Sequence, residues 1–394
     1  MRMRLLCIGF ILVLTACSGG GGSSVTPSIA RGGAMPAPAG ANFGTTLATH
    51  YTVIDLGPGA GSPWLTPQRV NNDGVVVLDI GSPLSSLPCA NCGGAFPQGF
   101  VFKNGALQQL PALPGSSQSY GSDVNNAGDI VGGSFNASGA ETAVLWKPDL
   151  SIVNLGTGIA SLNGSAEADA ISDSGKIAGA SYNASAVLPT FFDGKGGATD
   201  PCGSSVQGYF RAGVNDAGVA AGDELLSAGG TAAMTCPPFA AVATPSDPSW
   251  LDFGFDINNA GVVVGRMTVG PTPAVFHPFM YQNGKLTDLG TLFPNTASSV
   301  GAAFGMNNDG MIVGFSAQSG GTIGNPPVPP VNPRAWVYAN GKMVDLNTLL
   351  PASCANWTLI TAEDISDNGD IVGVAFVGGY PNGQEHAYLL KPQP

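Results

Sequence analysis

The chain has 394 residues, of which 58 are Gly and 31 are Pro, while 44% are hydrophobic and only 10% charged. Glycine and proline in this excess, beside ample apolar material, predict many short strands and tight turns, and too few Lys, Glu and Arg remain to cover exposed helix faces. A formal net charge of −12 with 14 basic residues argues against nucleic acid or anionic lipid headgroups as partners, since both require clustered Lys and Arg.

In chain order, Arg2 and Arg4 precede the mostly apolar run Leu5–Leu14, which is too short to span a bilayer. The run closes on Leu14-Thr15-Ala16-Cys17, which resembles the lipobox of bacterial lipoproteins. The resemblance implies a signal peptide at residues 1–16, cleavage before Cys17 and acylation of its thiol, hence an exported protein. With Ser18 rather than Asp next, it implies the outer membrane, on the cell surface or the periplasmic side. Several acyl chains anchor durably where one is marginal. Cleavage removes two arginines and leaves 12 basic against 26 acidic residues. Residues 17–50, with Gly19–Gly22 followed by Ser, Ala, Pro and Thr, show no apolar periodicity and read as a flexible tether.

From residue 51 onward one unit recurs seven times. Its clearest copy is Asp256-Ile257-Asn258-Asn259-Ala260-Gly261-Val262-Val263-Val264-Gly265. Further copies centre on Gly128, Gly175, Gly218, Gly310 and Gly369, with a degraded one at Gly74, at a mean interval of about 49 residues. A second element follows in each unit, as in Phe279-Met280-Tyr281-Gln282-Asn283-Gly284-Lys285-Leu286-Thr287-Asp288-Leu289. Asn-Gly between alternating apolar runs is a strong hairpin signal, because both residues tolerate positive φ. Each unit therefore supplies two hairpins, or four strands: inner, second, third and fourth. Seven such units predict an all-β, seven-bladed β-propeller over 51–394. The terminal segments predict its closure. Tyr51–Gly57 matches a fourth strand, the last unit ends after a third strand at His386–Leu390, and pairing the two removes the sheet edges.

His386-Ala387-Tyr388, His277-Pro278-Phe279 and Arg334-Ala335-Trp336 occupy one position of the unit, beside the Ile-Asn-x-x-Gly-x-x-Val-Gly element. In these features residues 51–394 resemble the bacterial extracellular proteins named for a His-Ala-Phe (HAF) repeat. That resemblance implies an exported repeat protein and carries no established activity.

The inner-to-second and third-to-fourth turns are short and share one face; the longer connections, including 79–98, 223–238, 316–333 and 376–385, fall on the other. Binding residues concentrate on such loops. Its aromatics Trp64, Tyr120, Tyr209, Phe210, Trp357 and Tyr380 are candidates for stacking on sugar rings or a partner protein, against a packing role between loops and blades. Glu167 and Glu363, just before inner strands, are the first acids to consider for glycoside cleavage, although spacing alone does not pick such a pair. Arg69, Arg211 and Arg266 lie near inner or second strands. Asp364-x-Ser366-x-Asn368-Gly369 imitates a calcium loop, but its twelfth position is Ala375, so turn formation explains it better and no metal or cofactor is expected. His277 and His386 hold equivalent positions in non-adjacent units and read as structural.

Cys89 and Cys92 are expected oxidised in an exported protein, Cys202 and Cys236 flank one unit and can join, and Cys354 is left over. A bridge from Cys354 to Cys89 or Cys92, in the neighbouring unit of a closed ring, is the competing connectivity. The expectation is a membrane-anchored, non-catalytic scaffold that binds a glycan or protein at the cell envelope. The alternatives are a carbohydrate-active hydrolase or lyase, and a purely structural envelope protein.

Overall fold

In the computed structural model, residues 47–57, 65–80, 98–203, 205–269, 275–320 and 329–393 are described. Cys17, Trp64, Cys89 and Cys92 lie outside them. The described strands form seven four-stranded antiparallel sheets, arranged as the blades of a seven-bladed β-propeller. The inner strands, in blade order, are Leu65–Val70, Ser116–Val124, Ser165–Ile171, Gly208–Val214, Phe253–Ile257, Val300–Met306 and Trp357–Ile365. The last blade takes its outer strand from the other end of the chain: His50–Gly57 pairs antiparallel with Gln384–Gln393, with Tyr51 opposite Pro392 and Val53 opposite Leu390. This is the expected closure, begun one residue earlier than the sequence pattern predicts.

Two glycines of the repeat have different causes. Gly74, Gly128, Gly175, Gly218, Gly261, Gly310 and Gly369 all sit in the inner-to-second turn with φ between +72° and +81°, where a side chain is strained. The second-strand glycine is steric. A Cβ on Gly132, Gly179, Gly222, Gly265, Gly314 or Gly373 would collide with a carbonyl oxygen of the adjoining inner strand. That strand bulges opposite each of them. The first blade has Leu78 at this place, and its unit is the one the sequence pattern barely shows.

The Asn pair of the motif ties blade to blade. In Asn258 the side-chain Oδ1 accepts the amides of Ala260 and Val262, closing its own turn. The Nδ2 of the same residue donates to the carbonyl of Asn307 in the next blade. Asn71, Asn125, Asn215 and Asn307 donate forward in the same way. The following residue forms a second belt. Backbone amides of Asn72, Asn126, Ser174, Asp216, Asn259, Asn308 and Asn368 donate to Oδ1 of Asn126, Asp173, Asp216, Asn259, Asn308, Asp367 and Asn72 in turn. The seventh bond returns to the first blade, so the belt is closed.

The cores lie between blades. Val131, Ala143, Leu145 and Leu155 of the second blade pack against Ala166, Ala168, Ile171 and Phe192 of the third. On the blade flanks, His386 contacts Asp55 at 2.8 Å across the closure, and His277 contacts Asp288 at 2.9 Å within the fifth blade. Arg334 takes the same place beside Asp345 in the sixth, at 3.7 Å. That position of the unit therefore joins a third strand to the aspartate of its fourth.

Asn258→Ala strips the turn of its acceptor and leaves the buried Asn307 carbonyl without that donor. It is expected to cost about 2–4 kcal/mol in urea unfolding. Asn283→Gly, at an exposed third-to-fourth turn with φ +52°, should change stability by less than about 0.5 kcal/mol. Equal losses for the two would remove the belt's special role.

Candidate functional site

The strand bulges set the chemistry of the central channel, because a bulge re-aims the residues beside it. The bulge residues of the seven blades are Gln68, Ser122, Asp169, Arg211, Phe255, Phe304 and Glu363. All of them line one cavity of about 940 Å³. It opens where the inner strands begin, the face predicted for binding. Beneath it, at the next position of each strand and two positions on in the fourth, where the irregularity between Tyr209 and Gly213 is longer, are Arg69, Asp123, Ala170, Gly213, Asp256, Gly305 and Asp364. Each aspartate of this ring reaches the following blade. Asp123 accepts the amide of Ile171, Asp256 that of Met306 and Asp364 that of Val70. A Cβ on Gly213 would lie 2.8 Å from the Asp256 carboxylate, so the small residues make room for the acids.

Arg69 closes the narrow part. Its guanidinium lies 3.9 Å from Asp123 and donates to the Phe255 carbonyl, across the channel in the fifth blade, at 3.3 Å. Burial opposes its charge, but Asp364, Asp256, Asp123 and Glu363 outweigh burial and raise its pKa. Beyond it, the far end of the channel narrows to about 140 Å³ between the Asn-rich turns.

The upper wall holds a tyrosine–carboxylate cluster. Glu141 is fully buried and accepts hydrogen bonds from Tyr120 Oη at 2.6 Å and from Tyr182 Oη. The same Tyr120 hydroxyl lies 3.4 Å from Glu167. Arg211 stacks over the Tyr209 ring at 3.9 Å. Asp79 and Asp223, from second strands, complete the polar wall, and the hairpin after Tyr182 forms part of the rim. Burial pushes Asp123, Asp256, Asp223 and Glu363 up to about 7, against the pull of the nearby guanidinium groups. Burial also raises Asp79, and burial together with Glu167 and Glu141 raises Asp169, both well above the usual carboxylate range.

Of the residues singled out in the sequence, Tyr120, Tyr209, Glu167 and Glu363 meet in this cavity. Phe210 is fully buried in the core between the third and fourth blades. Trp357 begins the last inner strand and packs edge-on against His386, with ring centroids 5.8 Å apart. Tyr380 donates to the Pro330 carbonyl at 2.8 Å and packs on Phe376. Neither lines the cavity. The predicted connection 223–238 is largely strand: the second strand runs to Leu225 and the third spans Thr231–Cys236. Asp223 is a buried strand residue, and its polarity is what made it read as loop. Cys202 and Cys236 form a disulfide with Cα atoms 5.8 Å apart, and Cys236 closes a strand rather than sitting in a binding-face loop. Cys354 is a free thiol among the described residues.

Glu141, Asp169, Tyr182 and Asp79 were not anticipated. Two positional signals find two of them: Asp169 stands two before the Ile171-Ser172 pair of its turn motif, where other blades also place the bulge residue, and Asp79 follows Leu78, at the place where Asp223 and Arg266 follow the second-strand glycines Gly222 and Gly265. Among the described residues no His, Cys, Asp or Glu group is arranged to hold a metal, and no helix is long and apolar enough to cross a membrane.

No family model matches the chain, and no curated protein does. Among solved structures it is similar to a puromycin hydrolase (13% identity over 88% of this chain and 55% of that one, TM-score 0.48). It is also similar to a puromycin-hydrolyzing peptidase of Mycobacterium tuberculosis (10%, 91% and 55%, 0.44) and to TolB from Acinetobacter baumannii (12%, 57% and 53%, 0.38). The aligned part covers about half the length of each of these proteins.

The raised carboxyls make stability depend on pH. An acid whose folded pKa exceeds its unfolded value near 4 favours the fold while protonated, and that contribution is lost as pH rises through the folded pKa. Asp123, Asp256, Asp223 and Glu363 place the loss between about pH 4 and 7, and Glu385, pushed up to about 8 by burial, extends it. Asp288, which the His277 and Gly290 hydrogen bonds lower despite its burial, works weakly the other way. The melting temperature should rise by several degrees from pH 8 to pH 5 in calorimetry, and Glu385→Gln should flatten the slope. A melting temperature that falls over that interval contradicts this ordering.

Proposed function

We propose that this protein is an exported, non-catalytic binding scaffold of the bacterial envelope, anchored through an acylated Cys17 and tethered by residues 18–50, and that its channel mouth binds a glycan. The observation that carries the reading is the 940 Å³ cavity, in which tyrosine rings and hydrogen-bonded carboxylates face each other. A concave site with aromatic platforms and a few fixed polar groups suits a sugar unit, whose ring faces stack and whose hydroxyls need acceptors. Its walls come from inner and second strands of several blades, so little ordering is required on binding.

Carbohydrate cleavage is the second reading, and one observation favours it. Glu167 and Glu363 share this cavity, and Glu363 is pushed up to about 7 by burial, where a general acid works at neutral pH.

A panel of polysaccharides, peptidoglycan and envelope extracts, tested for retention and for released sugar, separates the readings. Saturable retention without products supports the scaffold. It should weaken at least tenfold in Tyr209→Ala and change less than twofold in Tyr380→Ala. Released sugar that disappears in Glu363→Gln or Glu167→Gln would establish the enzyme instead. Absence of both would favour a structural envelope role or a protein partner outside the panel.

A further inference from the structure

We infer that the channel-mouth cavity selects a cationic sugar, one carrying a free primary ammonium beside its hydroxyls, and reads that charge with Asp79, Glu167 and Asp169. This deepens the glycan-binding reading and rests on it.

The first ground is charge balance inside the cavity. Five carboxyl side chains line it, Asp79, Glu167, Asp169, Asp223 and Glu363, against the two guanidinium groups of Arg69 and Arg211. Both cations are already engaged. Arg69 faces Asp123, Asp256 and Asp364 below the cavity floor and donates to backbone carbonyls. Arg211 lies on the Tyr209 ring and acts on Asp169 and Asp223. The wall toward Glu141, Glu167 and Asp79 is therefore rich in acids, and a cation bound there would favour their ionised form.

The second ground is independent of charge counting. Asp79 is 5% exposed, lines the cavity and holds one carboxylate oxygen with the Gly121 amide, while its Oδ1 has no hydrogen-bond partner. Asp169 Oδ2, in the same cavity, is likewise buried without a donor. A buried acceptor left unmatched costs about 1–3 kcal/mol, more when charged, so two in one concave wall mark where a ligand donor belongs. An ammonium supplies up to three N–H donors and the missing charge at once. Burial, Glu167 and Glu141 raise the pKa of Asp169 by more than the Arg211 guanidinium lowers it, so these crowded carboxyls still favour a further positive charge. Tyr120 and Tyr182 fix Glu141 behind this wall, which keeps the acids in place while the ligand enters. N-acetylation of the sugar would remove the charge and add bulk at the same atom, so the free and acetylated forms should be told apart.

The test is calorimetric titration of the full chain at pH 6.0 with three β-1,4-linked hexamers, of glucosamine, of N-acetylglucosamine and of glucose. The expected result is at least tenfold tighter binding of the glucosamine hexamer than of either other. That preference should fall to less than threefold in Asp79→Asn and in Glu167→Gln, two substitutions that keep side-chain size. It should persist in Asp309→Asn, which removes an exposed acid on the opposite face. Equal affinity for all three hexamers would overturn the cation inference and leave glycan binding standing. A preference undiminished in both cavity variants would also overturn it, by tracing the effect to the net charge of the chain. Binding of none would overturn the glycan reading together with it.

Discussion

The structure depends on a circumferential chain of hydrogen bonds between the inner-to-second turns. A blade of four short strands is marginal alone, because both of its faces are apolar and its inner edge is unpaired. Each Asn-Asn or Ser-Asp turn supplies one side chain that closes its own backbone and one that accepts the neighbour's amide. Single bonds of this kind contribute about 1 kcal/mol. Their closure into a ring, Asn368 returning to Asn72, makes them cooperative, since no blade can shift without breaking the bonds on both sides. The outer strand His50–Gly57 closes the same ring covalently remote from its partner, so belt and closure fasten the two ends of the domain at opposite radii.

With the turns fixed at one end, the inner strands have a common register, and the bulge in each falls at the same height. That coincidence builds the channel in layers. Below the bulges, three aspartates latch successive blades and Arg69 fills the space between them. At the bulges, seven side chains of mixed character form the floor of the cavity. The scaffold is thus repetitive while the floor is not: Gln68, Ser122, Asp169, Arg211, Phe255, Phe304 and Glu363 all come from the bulge of their strand and share almost no chemistry. Variation confined to the bulge is what a ligand-facing surface on a fixed ring looks like. It is also why electrostatic strain gathers there, in carboxyls that burial and mutual repulsion keep from ionising readily.

The architecture was legible because its causes are local. Asn-Gly turns, the positive-φ glycine and period-two apolar runs declare hairpins one at a time, and the spare strand at Tyr51–Gly57 declares the closure. The site was legible only in part. Tyr120, Tyr209, Glu167 and Glu363 were found because they stand near the start of inner strands. Trp357 and Tyr380 were singled out by residue type, which does not reveal that one packs on His386 and the other bonds Pro330. Glu141 was missed because its meaning is non-local: it sits in a third strand, and its two tyrosine partners come from the inner strand of its own blade and from the second strand of the next. Asp223 was misread as loop because a buried acid in a strand is rare unless something outside the strand holds it, here the Gly254 amide and Arg211.

Hydrogen exchange measured residue by residue on the turn amides tests the closed belt most directly. If Asn72, Asn126, Ser174, Asp216, Asn259, Asn308 and Asn368 are one ring, their amides should exchange together, at a rate set by global unfolding, with those of the first and last blades as slow as those of the middle ones. Exchange that is graded from blade to blade, fastest at Asn72 and Asn368, would contradict a closed belt.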